Sequence, residues 1–308
     1  MSQQVDTAFV KQYHDLIERL LQQMGSRFRG TVRTESQNGE EAFWEQVGSV
    51  EAVEVTTRHG DSPMVDTPHA RRRVTLRQFD VGDMIDTFDK VKMLIDPASI
   101  YVQNFVDALN RKVDDLVIGK SDDSFTVNGG FFGTAYTGKA GTTSTTFTSG
   151  NVIAVDYANT GVNSNMTINK LIEARRLLLS YENDPQRESW YIAWSASQLA
   201  SLLRTTEVTS SDYNTVKALV RGEINTFLGF NFIHSERLLE TASASGIRKC
   251  PAWTKNGMLL SFGKDITTRV AERPDKRFSW YAYAMLSAGV TRMQENKVLD
   301  IRCDEAVL

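Results

Sequence analysis

The 308-residue sequence is poor in cysteine and has no long apolar run. Cys250 and Cys303 are its only cysteines and no C-x-x-C spacing occurs, which excludes a disulfide framework and indicates a reducing compartment. No apolar stretch approaches the ~18–20 residues of a membrane-spanning helix. The first residues lack the basic start and apolar segment of a signal peptide. We therefore expect neither membrane insertion nor secretion.

An excess of basic charge is also missing. The chain has 35 Lys and Arg against 38 Asp and Glu, a net charge of −3, which argues against a dedicated nucleic-acid binder. Hydrophobic residues make up 41% and charged residues 24%, the composition of a soluble globular protein. At ~150 residues per domain, this length predicts about two domains.

Catalytic motifs are absent or incomplete. Gly133–Ala140 matches the phosphate-binding G-x-x-x-x-G-K pattern, but Ala140 replaces the hydroxyl residue that would bind Mg²⁺. The flanking sequence also lacks the strand and helix that this loop requires, so we interpret it as a glycine-rich loop. No G-x-S-x-G or H-E-x-x-H occurs, and neither cysteine has a nucleophile signature. We predict no catalytic, cofactor-binding or metal-binding residues.

Two charged clusters leave alternatives open. Asp80, Asp83, Asp86, Asp89 and Asp96 could hold a cation or form an acid pair, but the spacing is not that of a calcium loop, and a solvated or salt-bridged face is favoured. A second cluster, of arginines, could bind phosphates. Strand-like sequence would split it between two faces, which favours ion pairs with acidic residues of a neighbour. Its members are Arg71, Arg72, Arg73 and Arg77.

The N-terminal third predicts segments that need a supporting surface. Residues 5–24 have one apolar stripe and predict an amphipathic helix. Residues 27–79 contain eight arginines, eight acidic residues and few apolar ones. Strand-like sequence around Phe43 and Trp44, and at Val50, Val53 and Val55, predicts a two-stranded arm without a core of its own. Such an isolated ribbon is marginal in water.

The rest of the chain predicts regular elements. Asp96 and Pro97 form a helix start, and an apolar face then continues to Gly119, which predicts a helix of about 21 residues, ~32 Å long. Residues 119–165 are rich in glycine and threonine and predict loops and short strands. Residues 166–272 predict a compact α/β unit. Its elements are a helix from Ile168, a buried strand at Trp190–Trp194, a capping box at Ser195–Gln198, a helix at Tyr213–Arg221, and strands at Phe227–His234 and Met258–Phe262. Two strands, Phe278 to about Val290 and Val298–Cys303, end the chain.

This order of elements resembles the major capsid proteins of tailed bacteriophages, which have the Hong Kong 97 fold. Asp96–Asn104 continuing to Asn110–Asp115 resembles the spine helix of one podovirus-like capsid group. Leu228–Ser235 resembles the L-x-G-F strand of the family's axial domain. The resemblance covers almost the whole chain. It rests on the order of the elements and on the residue composition of the segments.

The resemblance implies an α+β fold and a domain for each segment. The implied parts are an N-terminal arm helix (1–26), an extended β-hairpin loop (27–79), a peripheral domain with the spine helix (80–125 and 278–308), a Gly/Thr-rich loop or insertion (126–165) and an axial α/β domain (166–277).

The implied function is self-assembly. Copies of the chain would form hexamers and pentamers of an icosahedral shell around double-stranded DNA, with weak non-specific DNA contacts and no membrane. The short N-terminal arm implies a separate scaffolding protein. A portal protein is also implied, and assembly would take place in the host cytoplasm. Whether a decoration protein also binds is left open.

Candidate contacts between copies are Arg71, Arg72, Arg73, Arg77, Phe43 and Trp44, the arginines because a planar guanidinium binds carboxylates bidentately. The alternative is a soluble α/β enzyme or small-molecule binder that uses residues 166–272.

Overall fold

The computed structural model describes residues 22–58, 60, 62, 64–85, 98–120, 129–159, 161–204, 226–241 and 246–307. The predicted helix at Tyr213–Arg221 and residues 5–21 of the first predicted helix, together with Asp86, Asp89 and Asp96, lie outside the described residues. Residues 22–24, the predicted end of that first helix, are described and are not helical. The chain divides into two compact units. The smaller comprises Met1–Gly25, Phe79–Arg111 and Ile266–Leu286, and the larger comprises Ser26–Gln78, Lys112–Asp265 and Ser287–Leu308.

Helices and strands alternate irregularly along the described chain. The helices are α1 (Ala98–Ile118), α2 (Ile168–Ser180) and α3 (Ala196–Arg204). The strands are β1 (Arg33–Ser36), β2 (Glu41–Val47), β3 (His69–Thr75), β4 (Arg77–Ile85), β5 (Ala135–Thr137), β6 (Thr143–Thr145), β7 (Val152–Ile153), β8 (Trp190–Trp194), β9 (Thr226–Phe227), β10 (Phe230–His234), β11 (Ile247–Thr254), β12 (Met258–Arg273), β13 (Ser279–Arg292) and β14 (Val298–Asp304).

Several predicted elements are confirmed. Helix α1 has the expected 21 residues and ends at Gly119, whose φ of 85° is the left-handed conformation that favours glycine. The capping box is present, since the Ser195 N–H donates to the Gln198 side chain over 2.8 Å at the start of α3. Strand β8 is buried as expected, and β13 and β14 lie within two residues of their predicted limits.

Other predictions are wrong. Strand β12 continues eleven residues beyond the predicted Phe262, and β4 and β11 were not predicted. Residues 27–79 do not lack a core, because Phe28, Val32 and Val74 are buried. Their arm is not an isolated ribbon either. Strands β2 and β3 pair as a hairpin, but β3 also pairs with β5 in a four-stranded sheet of order β2-β3-β5-β6.

The larger unit is built on a six-stranded mixed sheet of order β7-β14-β11-β8-β10-β9. Strand β8 is parallel to β10 and antiparallel to β11, and β11 is antiparallel to β14. Strand β14 therefore shares a sheet with β8, whereas the predicted ranges put them in different domains. The assignment of those ranges to a peripheral and an axial domain stays a prediction. A second four-stranded sheet has the order β1-β12-β13-β4.

Aromatic packing gives the larger unit its centre. The rings of Phe28, Phe131 and Trp253 lie with centroids 4.5–6.2 Å apart. All three side chains are fully buried. Phe28 precedes β1, Phe131 lies in the Gly-rich region and Trp253 belongs to β11, so one cluster joins three distant parts of the sequence. Such aromatic pairs contribute about 0.5–1.5 kcal/mol beyond the apolar area that they bury.

A buried lysine fastens α2 to its surroundings. The Lys170 ammonium is inaccessible to solvent and lies 2.7–3.1 Å from the backbone carbonyl oxygens of Val155, Ser164, Asn165 and Arg302, so its three N–H groups serve four acceptors and one hydrogen is shared. Loss of hydration on burial lowers the pKa of Lys170. The four carbonyl dipoles replace that hydration and link the helix to β14 and to the chain before it.

We expect Asp300→Asn to stabilise the protein at neutral pH. Asp300 is 2% exposed in β14, and its Oδ1 has no hydrogen-bond partner in the described part of the chain, while its Oδ2 accepts from the Arg302 Nε over 3.2 Å. Burial raises the pKa of its carboxyl group and outweighs the lowering effect of Lys249 and Arg302. A raised pKa means that the carboxyl destabilises the fold once pH rises through the folded-state pKa. Thermal unfolding should therefore show a gain in Tm at pH 7 that disappears below about pH 4, near the unfolded pKa. An equal gain at both pH values would contradict this account.

Candidate interaction surface

The β2–β3 hairpin has two chemically different faces. Glu41–Val47 pairs antiparallel with His69–Thr75, and the Gly48 N–H donates to the Pro68 carbonyl where the ladder ends. Side chains alternate between the faces of a strand. Even-numbered residues of the hairpin therefore turn towards the protein and odd-numbered residues turn away from it, as the burial of β3 shows.

The inner face is anchored by packing and by hydrogen bonds. Val74 is buried with Leu259 and Met293, and Trp44 packs against this group. The Gln46 amide and the Arg72 Nε both donate to the Met293 carbonyl, over 2.7 and 3.0 Å. Trp44 therefore contacts its own chain but is only partly buried, and its contact with a second copy stays a prediction.

Arg72 takes part in a buried charge cluster. Its guanidinium lies 3.3 Å from a Glu295 carboxylate oxygen, and Arg292 pairs with the other oxygen over 2.8 Å. Arg292 has no solvent exposure and also donates to the carbonyls of Phe131 and Gly133. Burial lowers the pKa of both arginines, against the raising effect of Glu295.

For Arg72, contact with a second copy stays a prediction. Its side chain is buried in the chain that carries it, because the inner parity of β3 aims it at Glu295. The sequence predicted that the arginine cluster would be split between two faces, and this is confirmed. The sequence did not reveal which arginine turns inward.

The outer face stays accessible. Arg71 pairs with Glu45 over 2.7 Å and Arg73 with Glu41 over 3.2 Å, while Arg73 also lies 4.8 Å from the centre of the Tyr136 ring. Phe43 is 41% exposed on this face. Arg77 is exposed in β4. For Arg71, Arg73, Arg77 and Phe43, contact with a second copy stays a prediction.

The loop beyond the hairpin exposes apolar side chains. Val50, Val53 and Val55 do not form the predicted strands, since the ladder ends at Gly48 and no neighbouring strand pairs with them. Val55 is 83% exposed and Met64 is fully exposed. We refer to residues 48–67 as the apolar loop.

Two adjacent aspartates of α1 hold the chain that precedes β1. Asp114 is fully buried and accepts hydrogen bonds from the Ser26 hydroxyl and from the N–H groups of Arg27 and Phe28. Asp115 forms a bidentate ion pair with Arg237. Sequence reasoning quoted both aspartates only for their resemblance to the spine helix. Two neighbouring carboxylates beside the apolar face of a helix were the signal that it missed.

The remaining candidates do not assemble into a reactive site. Gly138 and Lys139 lie in the turn between β5 and β6, so a strand follows the glycine-rich motif where a nucleotide-binding loop would open a helix. Cys250 is a buried thiol that interacts with Cys303, and this interaction and burial raise its pKa. Within the described ranges no group of three or more His, Cys, Asp or Glu is placed to hold a metal ion. Asp80 and Asp83 lie in β4.

The chain belongs to the phage capsid protein family, whose model matches residues 5–305. Its fold is the Hong Kong 97-type capsid fold that the resemblance implied. No curated protein matches the sequence. No helix in the described ranges has the length and apolarity needed to cross a membrane.

Solved phage capsids share this fold at low sequence identity. The capsid of Ralstonia phage GP4 matches with a TM-score of 0.71 and 10% identity, over 96% of this chain and 95% of that one. The acid-stable capsid of Helicobacter pylori bacteriophage KHP30 has a TM-score of 0.70 and 10% identity over 99% and 98%. For the capsid of cyanophage P-SCSP1u the values are 0.69 and 12% over 96% and 93%. These structures share the fold, and the family match over residues 5–305 makes the chain a structural protein of a phage capsid.

We expect Arg72→Met to destabilise the unassembled protein far more than Arg71→Met. Removing Arg72 leaves the buried Glu295 and the Met293 carbonyl with one partner fewer each, although Arg292 and Gln46 still contact them, and this costs roughly 3 kcal/mol. The Arg71–Glu45 pair is exposed, so its loss costs less than about 1 kcal/mol. Denaturant unfolding followed by circular dichroism measures both. Equal effects would contradict the assignment of the two faces.

Proposed function

We propose that this phage capsid protein assembles with copies of itself into hexamers and pentamers of an icosahedral shell that encloses double-stranded DNA. The observation that carries the proposal, beside family membership, is the apolar loop. Val50, Val53, Val55, Met64 and Val65 are all exposed there. Clusters of exposed apolar residues are characteristic of surfaces that bind a partner.

The energetics of the loop favour ordering against neighbours. Fixing each residue costs roughly 1–2 kcal/mol of backbone entropy. Burial returns about 25 cal/mol for each Å² of apolar surface removed from water. The apolar loop buries little surface in its own chain, whereas contact with a second copy would bury its valines and methionines.

The proposal assigns the predicted roles to the segments. Residues 1–26 serve as the N-terminal arm, 27–79 as the extended loop, 80–125 and 278–308 as the peripheral domain, 126–165 as a loop or insertion and 166–277 as the axial domain. A separate scaffolding protein and a portal protein take part, and assembly occurs in the host cytoplasm. The proposal leaves open whether a decoration protein binds to the shell. The net charge of −3 supports few, non-specific contacts with DNA. Family membership gives no support to the alternative of an enzyme built on residues 166–272.

We expect Val55→Asp to prevent assembly without unfolding the subunit. A charge at this exposed position is hydrated in the free chain but would be desolvated in a contact between copies. Val162→Asp is the matched control, since Val162 is 63% exposed outside the apolar loop. Expression with the scaffolding protein, followed by size-exclusion chromatography and negative-stain microscopy, gives the yield of shells. Wild-type protein that stays a stable monomer under every scaffold and salt condition would contradict the proposed function.

Hydrogen exchange should also separate free from assembled protein. We expect fast exchange across residues 48–67 in unassembled subunits and strong protection in shells, because the loop gains its partners only on assembly. Strand β8 is an internal control that should exchange slowly in both forms, since it is buried in the central sheet. Equal protection of the loop in both forms would show that it orders on its own subunit.

A further inference from the structure

A small open cavity lies on the outer face of the hairpin. It has a volume of about 280 Å³ and is lined by Glu45, His69, Ala70, Arg71, Gly138 and Lys139. We call it the basic pocket, because three of its six lining residues are cationic or can become so. Gly138 and Lys139 belong to the incomplete phosphate-binding motif, and the fold described above assigns no other role to this motif.

The pocket is positioned by close contact between two turns of chain. Strand β5 pairs with β3, and the Gly141 N–H donates to the Gly138 carbonyl over 3.0 Å in the turn that follows β5. Gly141 has a φ of 64°, and a Cβ there would lie 2.7 Å from the Phe43 ring and 2.9 Å from the Arg73 side chain. The turn therefore rests directly on the hairpin, and Lys139 is held beside Arg71.

The charges in the pocket are not balanced. Glu45 pairs with Arg71, and the side chains are 64% and 42% exposed, so this pair is weak and its arginine can be shared with a second carboxylate. In the described part of the chain, Lys139 and the His69 ring have no hydrogen-bond or ion-pair partner. Val47, 65% exposed, and Phe43 add apolar surface beside these cations.

The same chain carries a segment of complementary chemistry. Residues 50–55 of the apolar loop have the sequence Val-Glu-Ala-Val-Glu-Val and all are exposed. Among the described residues, the carboxylates of Glu51 and Glu54 have no ion-pair or hydrogen-bond partner. Two carboxylates between valines match a pocket that has the unpaired Lys139, the weakly paired Arg71 and an apolar rim.

We propose that residues 50–55 of one copy bind in the basic pocket of a second copy. Glu51 and Glu54 pair with Lys139 and Arg71, and the valines cover Phe43 and Val47. A protein segment with valines fits this site better than a nucleic acid does, because the apolar rim of Phe43 and Val47 can bury valines but does nothing for a polyanion. This inference rests on the proposed self-assembly and names the surfaces that meet.

Carbodiimide cross-linking tests the contact directly. The reagent joins a carboxylate and an amine that touch, with loss of water to the reagent, so it should link Glu51 or Glu54 to Lys139 in assembled wild-type protein. Shells made from mixed ¹⁴N- and ¹⁵N-labelled subunits show by mass spectrometry whether each link joins two copies. We expect mixed-label links. Shells that contain neither link would overturn the inference while leaving the proposed function intact.

Charge exchange supplies an independent readout. Lys139→Glu and the double variant Glu51→Lys/Glu54→Lys should each lower the yield of shells at least about tenfold, which corresponds to ~1.4 kcal/mol. Combining the three substitutions should restore part of the yield, because position 139 again faces a residue of opposite charge, whereas Arg71 faces a lysine and keeps only its pair with Glu45. Lys255→Glu is the control, since Lys255 is exposed outside the pocket.

The other outcomes are also decisive. Normal shells from both charge variants would overturn the inference. Lys139→Glu shells that form normally but retain less DNA would show that the pocket binds nucleic acid, which also overturns it. Failure of the wild-type chain to assemble would overturn the proposed function, and the inference with it.

Discussion

The larger unit depends on keeping two buried guanidinium groups paired. Arg72 and Arg292 share the single carboxylate of Glu295, and each also donates to a backbone carbonyl. A buried charge that loses its partner costs several kcal/mol. The hairpin, the end of β13 and the Gly-rich chain at 129–145 are therefore held together by one set of charges. The same set decides the parity of the hairpin, and so decides that Arg71, Arg73 and Phe43 face outward.

Elements with strong local signals could be predicted from the sequence. The periodic face of α1 and the Ser195–Gln198 capping box depend on residues within a few positions of each other, so their structure follows from local propensity. The hairpin was visible around Phe43 and Trp44 for the same reason. Val50, Val53 and Val55 misled the prediction because β-branched residues favour a strand only when a partner strand is present.

Features fixed by distant partners could not be predicted. Alternation showed that the arginine cluster would be split, but Glu295, far along the chain, determines that Arg72 is the buried member. Strand β11 was hidden by Arg248, Lys249 and Pro251, although each has a place in the structure. Arg248 pairs with Glu305, Lys249 lies over the ring of Phe132, and Pro251 sits opposite Asp300. The role of Asp114 could likewise not be predicted, because its hydrogen-bond partners at residues 26–28 are distant in sequence and only the fold brings them to it.

The ammonium of Lys170 has a consequence for how the protein responds to its medium. Rings of carbonyl oxygens that replace hydration are the means by which proteins hold monovalent metal cations. Here the cation is covalently part of the chain, so it can be neither exchanged for another ion nor diluted away. The join between α2 and β14 is thus insensitive to which salts surround the protein. A protein that meets media of different ionic composition keeps this part of its shape without recruiting anything from them.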